Sequence, residues 1–439
     1  MKKLTIIAAL SMLLIAMLYS FASADQPKDQ NNLHSTIAEA DTGYQPTEFK
    51  IPDWFQIKLR DSLNAYFKDA IDKKLIVGAS VAIVQCDSTI YADGFGTRDA
   101  ESNGMVNRNT VFRIGSVSKG FAGILSGIQV EKGVLNWGDK IKDHIPAFKL
   151  ANKNYTEQIT LEKVLSHTSG LPYHSFTNLV EDGLSLEEIA ARFPEIRELN
   201  SPGEIYNYQN AIFALSAALI EKSNNASYSE IIEDQIFNPL QMETASTTYD
   251  EFINNDNIAL PHRRMYGRWK SLKINKKYYN AIAAGGVNAS AEDMGKYMKM
   301  LLGYRPDVLS PMGLEEVFKD RVQVGGRGNY YQRWPGYKSS HYALGWRHHT
   351  FKDEDTGETK NIIHHGGSVN SYRSEIAIYP EEDLGITVLF NTSTKLAKTV
   401  IPDIRSIIKT IKQNSEKEDF MKESIATNQK RSNKQMILL

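Results

Sequence analysis

The chain has a single cysteine, Cys86, among its 439 residues, so no internal disulfide staples it and its stability must come from a packed core. Cys86 closes the strand-like run Gly78 to Cys86 with no basic cluster around it, and reads as a small buried hydrophobe, not a nucleophile. No His-Glu-x-x-His occurs, and the adjacent pairs His348-His349 and His364-His365 have the wrong spacing for a helical zinc site. Neither a metal nor a cofactor is expected. Gly-x-Ser-x-Gly is also missing, which argues against an α/β-hydrolase. Gly325-Gly326-Arg327-Gly328 is not followed by a Lys-Ser/Thr pair, so it reads as a surface loop and not a phosphate cradle. Neither sign of charge dominates: 51 Lys and Arg stand against 52 Asp and Glu, a formal net charge of -1, which gives no reason to expect nucleic acid or an acidic surface as partner. Internal repeats are absent.

The long apolar run sits at the start. Met1-Lys2-Lys3 is a short positive region, Leu4 to Phe21 is almost wholly apolar, and Ala22-Ser23-Ala24 has the small-x-small pattern of a signal-peptidase site. A cleaved export signal over 1–24 is expected, with no stable membrane span afterwards and a periplasmic or extracellular location; a retained anchor is the alternative. Residues 25–50 are polar and read as a flexible lead-in.

The remaining chain is too long for one simple layer pair. Trp54 to Asp72 has the apolar spacing of an amphipathic helix, and Ala79 to Val84 with Ile90 to Ala92 suggest paired strands. From Ser116 to about Met300 the pattern is mainly helical. Strand signals return at Glu375 to Tyr379 and Gly385 to Asn391, followed by a helix-like stretch from Lys398 to Lys412. Strands at both ends around a helical middle imply an α/β (α+β) domain over 51–412. Its antiparallel sheet, flanked by helices, is built from about 51–110 and 340–412, with an inserted helical lobe over about 111–339. Residues 413–439 read as a polar tail.

Within that frame one stretch carries chemistry. Ser116-Val117-Ser118-Lys119 puts a serine and a lysine three residues apart, neighbours across one helical turn. A lysine whose pKa is lowered by burial can take the serine proton, which begins acyl transfer. Val111 to Gly115 is an apolar run closed by glycine, and Phe121, Ile124, Leu125, Ile128 and Val130 suit a largely buried helix behind it. A helix N-terminus there favours the developing anion.

Phe112 to Lys119, Ile159 to Pro172 and Ser201 to Asn210 together resemble the class C β-lactamases and their relatives, the serine DD-peptidases, D-amino-acid peptidases and esterases, from about Asp61 to Ser393. The resemblance implies Ser116 as nucleophile, Lys119 and Tyr208 as proton-moving groups, and Asn210 as a donor to a substrate amide. Tyr278-Tyr279-Asn280 also fits the bare Tyr-x-Asn pattern, but Tyr208-Gln209-Asn210 follows a Pro-Gly turn and opens an apolar helix, as the family motif does. A tyrosine beside two cations is expected to have a lowered pKa. His167-Thr168-Ser169-Gly170 is expected to be a structural turn.

The β-lactamases carry Lys-Thr-Gly on the strand edging the site, whereas here His364-His365-Gly366-Gly367 stands in that place. By resemblance His364 replaces the lysine as reader of a substrate carboxylate, Gly366 and Gly367 let substrate lie along the strand, and the N–H of Gly367 with that of Ser116 forms the oxyanion hole. A histidine is charged only in part near neutral pH, so carboxylate binding is expected to weaken as pH rises. The expected function is an exported serine hydrolase acting through an acyl-enzyme on a small-molecule or peptide substrate, an amide or β-lactam. An esterase, or a catalytically poor penicillin-binding scaffold, is the alternative. The loop aromatics Tyr330, Tyr331, Trp334 and Tyr337 are expected to pack as local core.

Overall fold

The computed structural model describes residues 51–326 and 328–414. The expected export signal, the lead-in up to residue 50 and the tail from 415 lie outside the described residues. The first helix, α1 (Asp53–Asp72), buries Phe55, Leu59, Leu63, Phe67 and Ala70, a stripe at three- and four-residue spacing. It leads into strands β1 (Gly78–Gln85) and β2 (Ser88–Gly96). Six more strands come from the C-terminal part: β3 (Val322–Gln323), β4 (Tyr337–Tyr342), β5 (Arg347–Lys352), β6 (Thr359–Val369), β7 (Tyr372–Tyr379) and β8 (Leu384–Phe390).

These eight strands form one antiparallel sheet in the order β2-β1-β8-β7-β6-β5-β4-β3. The two ends of the chain meet at β1 and β8, with Val81 opposite Val388. β1 is buried on both faces, which is why its sequence is a continuous apolar run and not an alternation. Its Ala79, Val81 and Ile83 join the rear core with α1 and the helix over residues 400–414, α5, which contributes Val400, Ile401, Ile404, Ile408 and Ile411. Ala82 and Val84 join the front core, shared with the helical lobe. That lobe holds α2 (Ser118–Glu131), α3 (Asn210–Asn224) and α4 (Ala291–Leu301), among shorter helical turns. The sheet takes in Val322–Gln323 as well, earlier than the sequence suggests, because this two-residue strand is too short to leave a periodic signal.

One local reading changes and another holds. Cys86 is half-buried at φ +54° in the β1–β2 turn, not inside the strand; burial and Asp383 push its thiol up, so it is no nucleophile. Tyr331 and Trp334 are buried in the rear core as expected of local packing.

The rear layer is also held by charge. Asp353 accepts hydrogen bonds from Arg405 (2.6 Å) and Lys409 (3.0 Å) of α5 and from the N–H groups of Asp355 and Thr356 (both 3.1 Å). Burial pushes its carboxyl up, but these donors more than offset that and hold it well below the usual carboxylate range. A depressed carboxylate stabilises the fold above its unfolded pKa of about 3.9 and loses that contribution as pH falls towards the folded value. Asp353→Asn is therefore expected to cost about 1–3 kcal/mol at pH 7, discounted for the solvent that reaches the two cations. The gap in melting temperature from the parent should narrow below about pH 4; a gap constant from pH 7 to pH 3 would show that the charge of Asp353 plays no part.

Candidate active site

The turn Gly115–Val117 feeds directly into α2, and it is pinned from both sides. Ser118 Oγ donates to Gly115 O (2.7 Å) and accepts from Val287 N–H (3.0 Å), while Ser374 Oγ of β7 donates to Ile114 O (2.6 Å). Gly115 holds φ +53°, and a Cβ there would lie 2.8 Å from the backbone nitrogen of Ser368. The nucleophile turn and β6 thus touch backbone to backbone beside Ser116. The N–H of Ser116 lies in the first turn, where N–H groups have no intrahelical partner.

Lys119 is fully buried, and its Nζ has three neighbours: Asn210 Oδ1 at 2.8 Å, Ala284 O at 2.7 Å and Ser116 Oγ at 3.3 Å. Burial first, and then the nearby Arg347, hold the lysine pKa well below its usual value, which favours the neutral amine. A neutral amine has two hydrogens and one lone pair. Asn210 Oδ1 and Ala284 O only accept, so they take both hydrogens and leave the lone pair for the hydroxyl hydrogen of Ser116. In that form the geometry aims the Lys119 lone pair at Ser116 Oγ, 3.3 Å away.

Tyr208 lies against this pair, with Lys119 Nζ 4.8 Å from its ring centroid. Its pKa is pushed up to about 12, because burial outweighs the lowering effect of Arg347 and Ser116. The expected lowering by two cations is overturned, since the ring is buried more deeply than they can compensate. Its hydroxyl makes no geometrically sound hydrogen bond, although Ser116 is near enough to influence it. His167 packs on Tyr208 at 4.3 Å and on Phe213 at 5.1 Å, and accepts the Gln209 N–H (3.1 Å) at φ +59°. This histidine shapes the turn that presents Tyr208. Asn210 Oδ1 accepts from Lys119, and Nδ2 donates one of its two hydrogens to Tyr278 Oη at 3.1 Å, so Asn210 holds Lys119 with a second Nδ2 hydrogen left over. Tyr278, from the Tyr-x-Asn pattern set aside in the sequence, reaches the same cluster, while Asn280 binds the carbonyls of Val180 and Leu184.

The strand edge corrects two further expectations. β5 pairs with β6 only as far as Arg347 opposite His364, so residues 365–369 have an open edge on that side. The two-residue turn Asn370-Ser371, with φ +46° and +68°, makes Val369 and Tyr372 a hydrogen-bonded pair. Such pairs recur every second residue, so Val369, Gly367 and His365 direct their backbone groups to β7, and Ser368 and Gly366 direct theirs to the open edge. It is therefore the N–H of Ser368, not of Gly367, that faces the open edge beside Ser116. Gly367 serves instead by lacking a Cβ, which would overlap the carbonyl oxygen of Ile114.

Adjacent strand residues point to opposite faces, and His364 points to the rear with Ile362. There its Nε2 donates to Glu375 (2.9 Å), its Nδ1 accepts from His349 (3.2 Å), and Trp334 packs at 4.8 Å. Burial, opposed by Glu375, lowers its pKa. His364 does not face Ser116. His365 does point into the site: its Nδ1 donates to Gly366 O (2.9 Å), leaving Nε2 to accept from Tyr342 Oη (3.0 Å), and burial holds its pKa well below the usual value. It is neutral, and carries no charge for a substrate carboxylate.

The cation the sequence missed is Arg347, on the last rung before the open edge. Its guanidinium lies 5.8 Å from the ring of Tyr208, 5.4 Å from that of Tyr331 and 5.8 Å from that of Tyr342. No carboxylate among the described residues pairs with it, and its Nε is buried without a partner. The bare Ser-x-x-Lys pattern does recur at Ser406 to Lys409, but Lys409 there is held by Asp353 and Asp355.

With this geometry in place, comparison with known proteins gives a consistent result. The sequence profile of the Beta-lactamase family matches residues 63–407. Protein flp of Staphylococcus aureus (strain MRSA252) is 23% identical over 361 residues, covering 81% of this chain and 68% of that protein. Unguisins hydrolase ungD' of Aspergillus campestris is 25% identical over 338 residues, 74% of this chain and 60% of that protein. The structure of the octameric penicillin-binding protein homologue from Pyrococcus abyssi superposes with a TM-score of 0.67 at 24% identity, covering 79% of this chain and 77% of that one, and shows the same fold.

Asn210→Asp tests the hydrogen-bond count around Lys119. A carboxylate at that position keeps a third hydrogen on the amine, so acylation by a serine-reactive probe at pH 7 is expected to fall by at least about a hundredfold. The acid limb of its rate profile should move to higher pH. An unshifted limb would mean that Lys119 is not the base.

Proposed function

The chain belongs to the Beta-lactamase family, and on that premise we propose that it is an exported serine hydrolase that works through an acyl-enzyme on amides or β-lactams bearing a carboxylate. The observation that carries this reading is the fully buried Lys119, held by Asn210 and Ala284 with its Nζ 3.3 Å from Ser116 Oγ. As Ser116 Oγ attacks the substrate carbonyl, its proton passes to Lys119 Nζ, and the N–H groups of Ser116 and Ser368 receive the oxyanion. Tyr208, with a pKa near 12, keeps its proton at neutral pH and is suited to give it to the leaving nitrogen. Lys119, 4.8 Å from the Tyr208 ring, can return the proton it took. Water then releases the acyl group.

Substrate choice follows from the open edge. An extended substrate adds to β6 beside Gly366 and Ser368, and β5 blocks the edge at Arg347, leaving room for about one or two residues beyond the scissile bond. A segment ending there meets an unpaired guanidinium, which suits a terminal carboxylate. This supports a D-amino-acid peptide or β-lactam over a neutral ester. Export is supported by the basic, apolar and small-residue order of residues 1–24.

Ser116→Ala is expected to abolish labelling by a fluorescent penicillin while the melting temperature stays close to that of the parent; a label that persists would sink the nucleophile. Arg347→Gln should raise KM for an anionic substrate by at least about tenfold and change it little for a neutral ester. Equal effects on both would show that Arg347 does not read the substrate carboxylate. Protein recovered outside the cytoplasm of a bacterial host should begin at Asp25, and retention of Met1 would favour an anchored form.

A further inference from the structure

The near-neutral charge of the whole chain hides a strongly basic stretch. Residues 262–277 contain Arg263, Arg264, Arg268, Lys270, Lys273, Lys276 and Lys277 and no acidic residue. Most of them lie on a separate two-stranded hairpin, His262–Met265 paired with Arg268–Ser271, which belongs to no larger sheet. It is rooted firmly, His262 N–H donating to Asn391 O (2.9 Å) and Leu272 N–H to Pro261 O (2.7 Å). Beyond that root residues 263–268 are all exposed, and at the tip Tyr266 is 101% accessible.

The acidic groups that face this arm are few. Glu101 pairs with Lys270 and Glu181 with Lys277. Lys276 lies 5.0 Å over the ring of Tyr249. Among the described residues, Arg263, Arg264, Arg268, Lys273 and Lys276 enter no ion pair, so three positive charges stand uncompensated on the hairpin and two more in the segment that follows it.

Apolar groups are set among these charges. In the hairpin register Met265 is opposite Arg268 and Trp269 is opposite Arg264, with Tyr266 and Gly267 forming the turn. We propose that this hairpin is a docking arm for an anionic lipid surface, with Arg263, Arg264 and Arg268 meeting headgroups and Tyr266 and Met265 entering the interfacial layer. A soluble polyanion satisfies the charges but gives the exposed tyrosine and methionine nothing to bury against, which is what favours lipid. The arm runs on into the wall of the site: Asn275 Nδ2 donates to Asn370 Oδ1 in the β6–β7 turn (2.7 Å), and Tyr278 Oη accepts from Asn210. Docking through it holds the site near the headgroup layer.

The test is sedimentation of the chain, as recovered from its expression host, with vesicles of phosphatidylcholine alone or with about 30% phosphatidylglycerol. The parent is expected to bind only the anionic vesicles and to be released by about 0.5 M NaCl. The triple variant Arg263→Gln/Arg264→Gln/Arg268→Gln should bind at least about a hundredfold more weakly, the loss expected for three basic groups at an anionic surface. Tyr266→Ser should bind at least about threefold more weakly. All variants share the parent's termini, so the differences isolate the arm, and unchanged melting temperatures show that each is folded. Equal binding by the parent and the triple variant, or no binding by the parent, overturns the proposal. So does undiminished binding by Tyr266→Ser together with equally tight binding of soluble polyphosphate by the parent, which would make the partner a soluble polyanion.

Discussion

A buried amine with two hydrogens and two acceptors that cannot donate has only one place to direct its lone pair, and that constraint organises this molecule. Asn210 on α3 and Ala284 on a short helical turn fix Lys119 from the helical lobe. Ser374 on β7 fixes the turn of Ser116 from the sheet. Lys119 and Ser116 therefore meet where the two layers join, and the front core that packs α2 against the sheet also sets their 3.3 Å separation. Burial has opposite consequences for the two titratable partners: it lowers the pKa of Lys119 and raises that of Tyr208. One environment moves two neighbouring groups in opposite directions.

The sheet contributes through its register. Because β5 stops pairing at His364, β6 keeps an unpaired edge next to the nucleophile, and the parity set by the Asn370-Ser371 turn decides which N–H groups face it. The rear face is closed by a polar cluster around Glu375, which is fully buried and takes two bonds from Arg373 (3.0 and 2.7 Å), one from Tyr330 (2.7 Å) and one from His364 (2.9 Å). Every acceptor there has a partner, which is what permits a buried carboxylate behind the working edge.

Much of this was legible in the sequence. A three-residue spacing on a helix is a geometric statement, so Ser116 and Lys119 could be paired without a structure, and the strands at both chain ends implied a sheet closed by β1 and β8. The role of Tyr208 as neighbour was also readable, but its pKa was not, because the balance between burial and nearby cations is a tertiary quantity. His364 and His365 show the limit most clearly. Neighbouring strand residues face opposite ways, and nothing in His-His-Gly-Gly says which one faces the site until the turn fixes the register. Arg347 was invisible for a related reason: its lack of a carboxylate partner depends on everything folded around it. The same holds for the basic hairpin, since a net charge of -1 says nothing of where the charges lie.

The central claim is that Lys119 is an unprotonated amine in the resting protein. Nitrogen-15 NMR of the lysine side chains, with the Lys119 signal assigned by comparison with Lys119→Arg, reads its protonation state directly as pH is varied. The account predicts a neutral amine at pH 8, with a titration midpoint well below the usual lysine value of about 10.4. A Lys119 nitrogen that stays protonated up to pH 10 would contradict it.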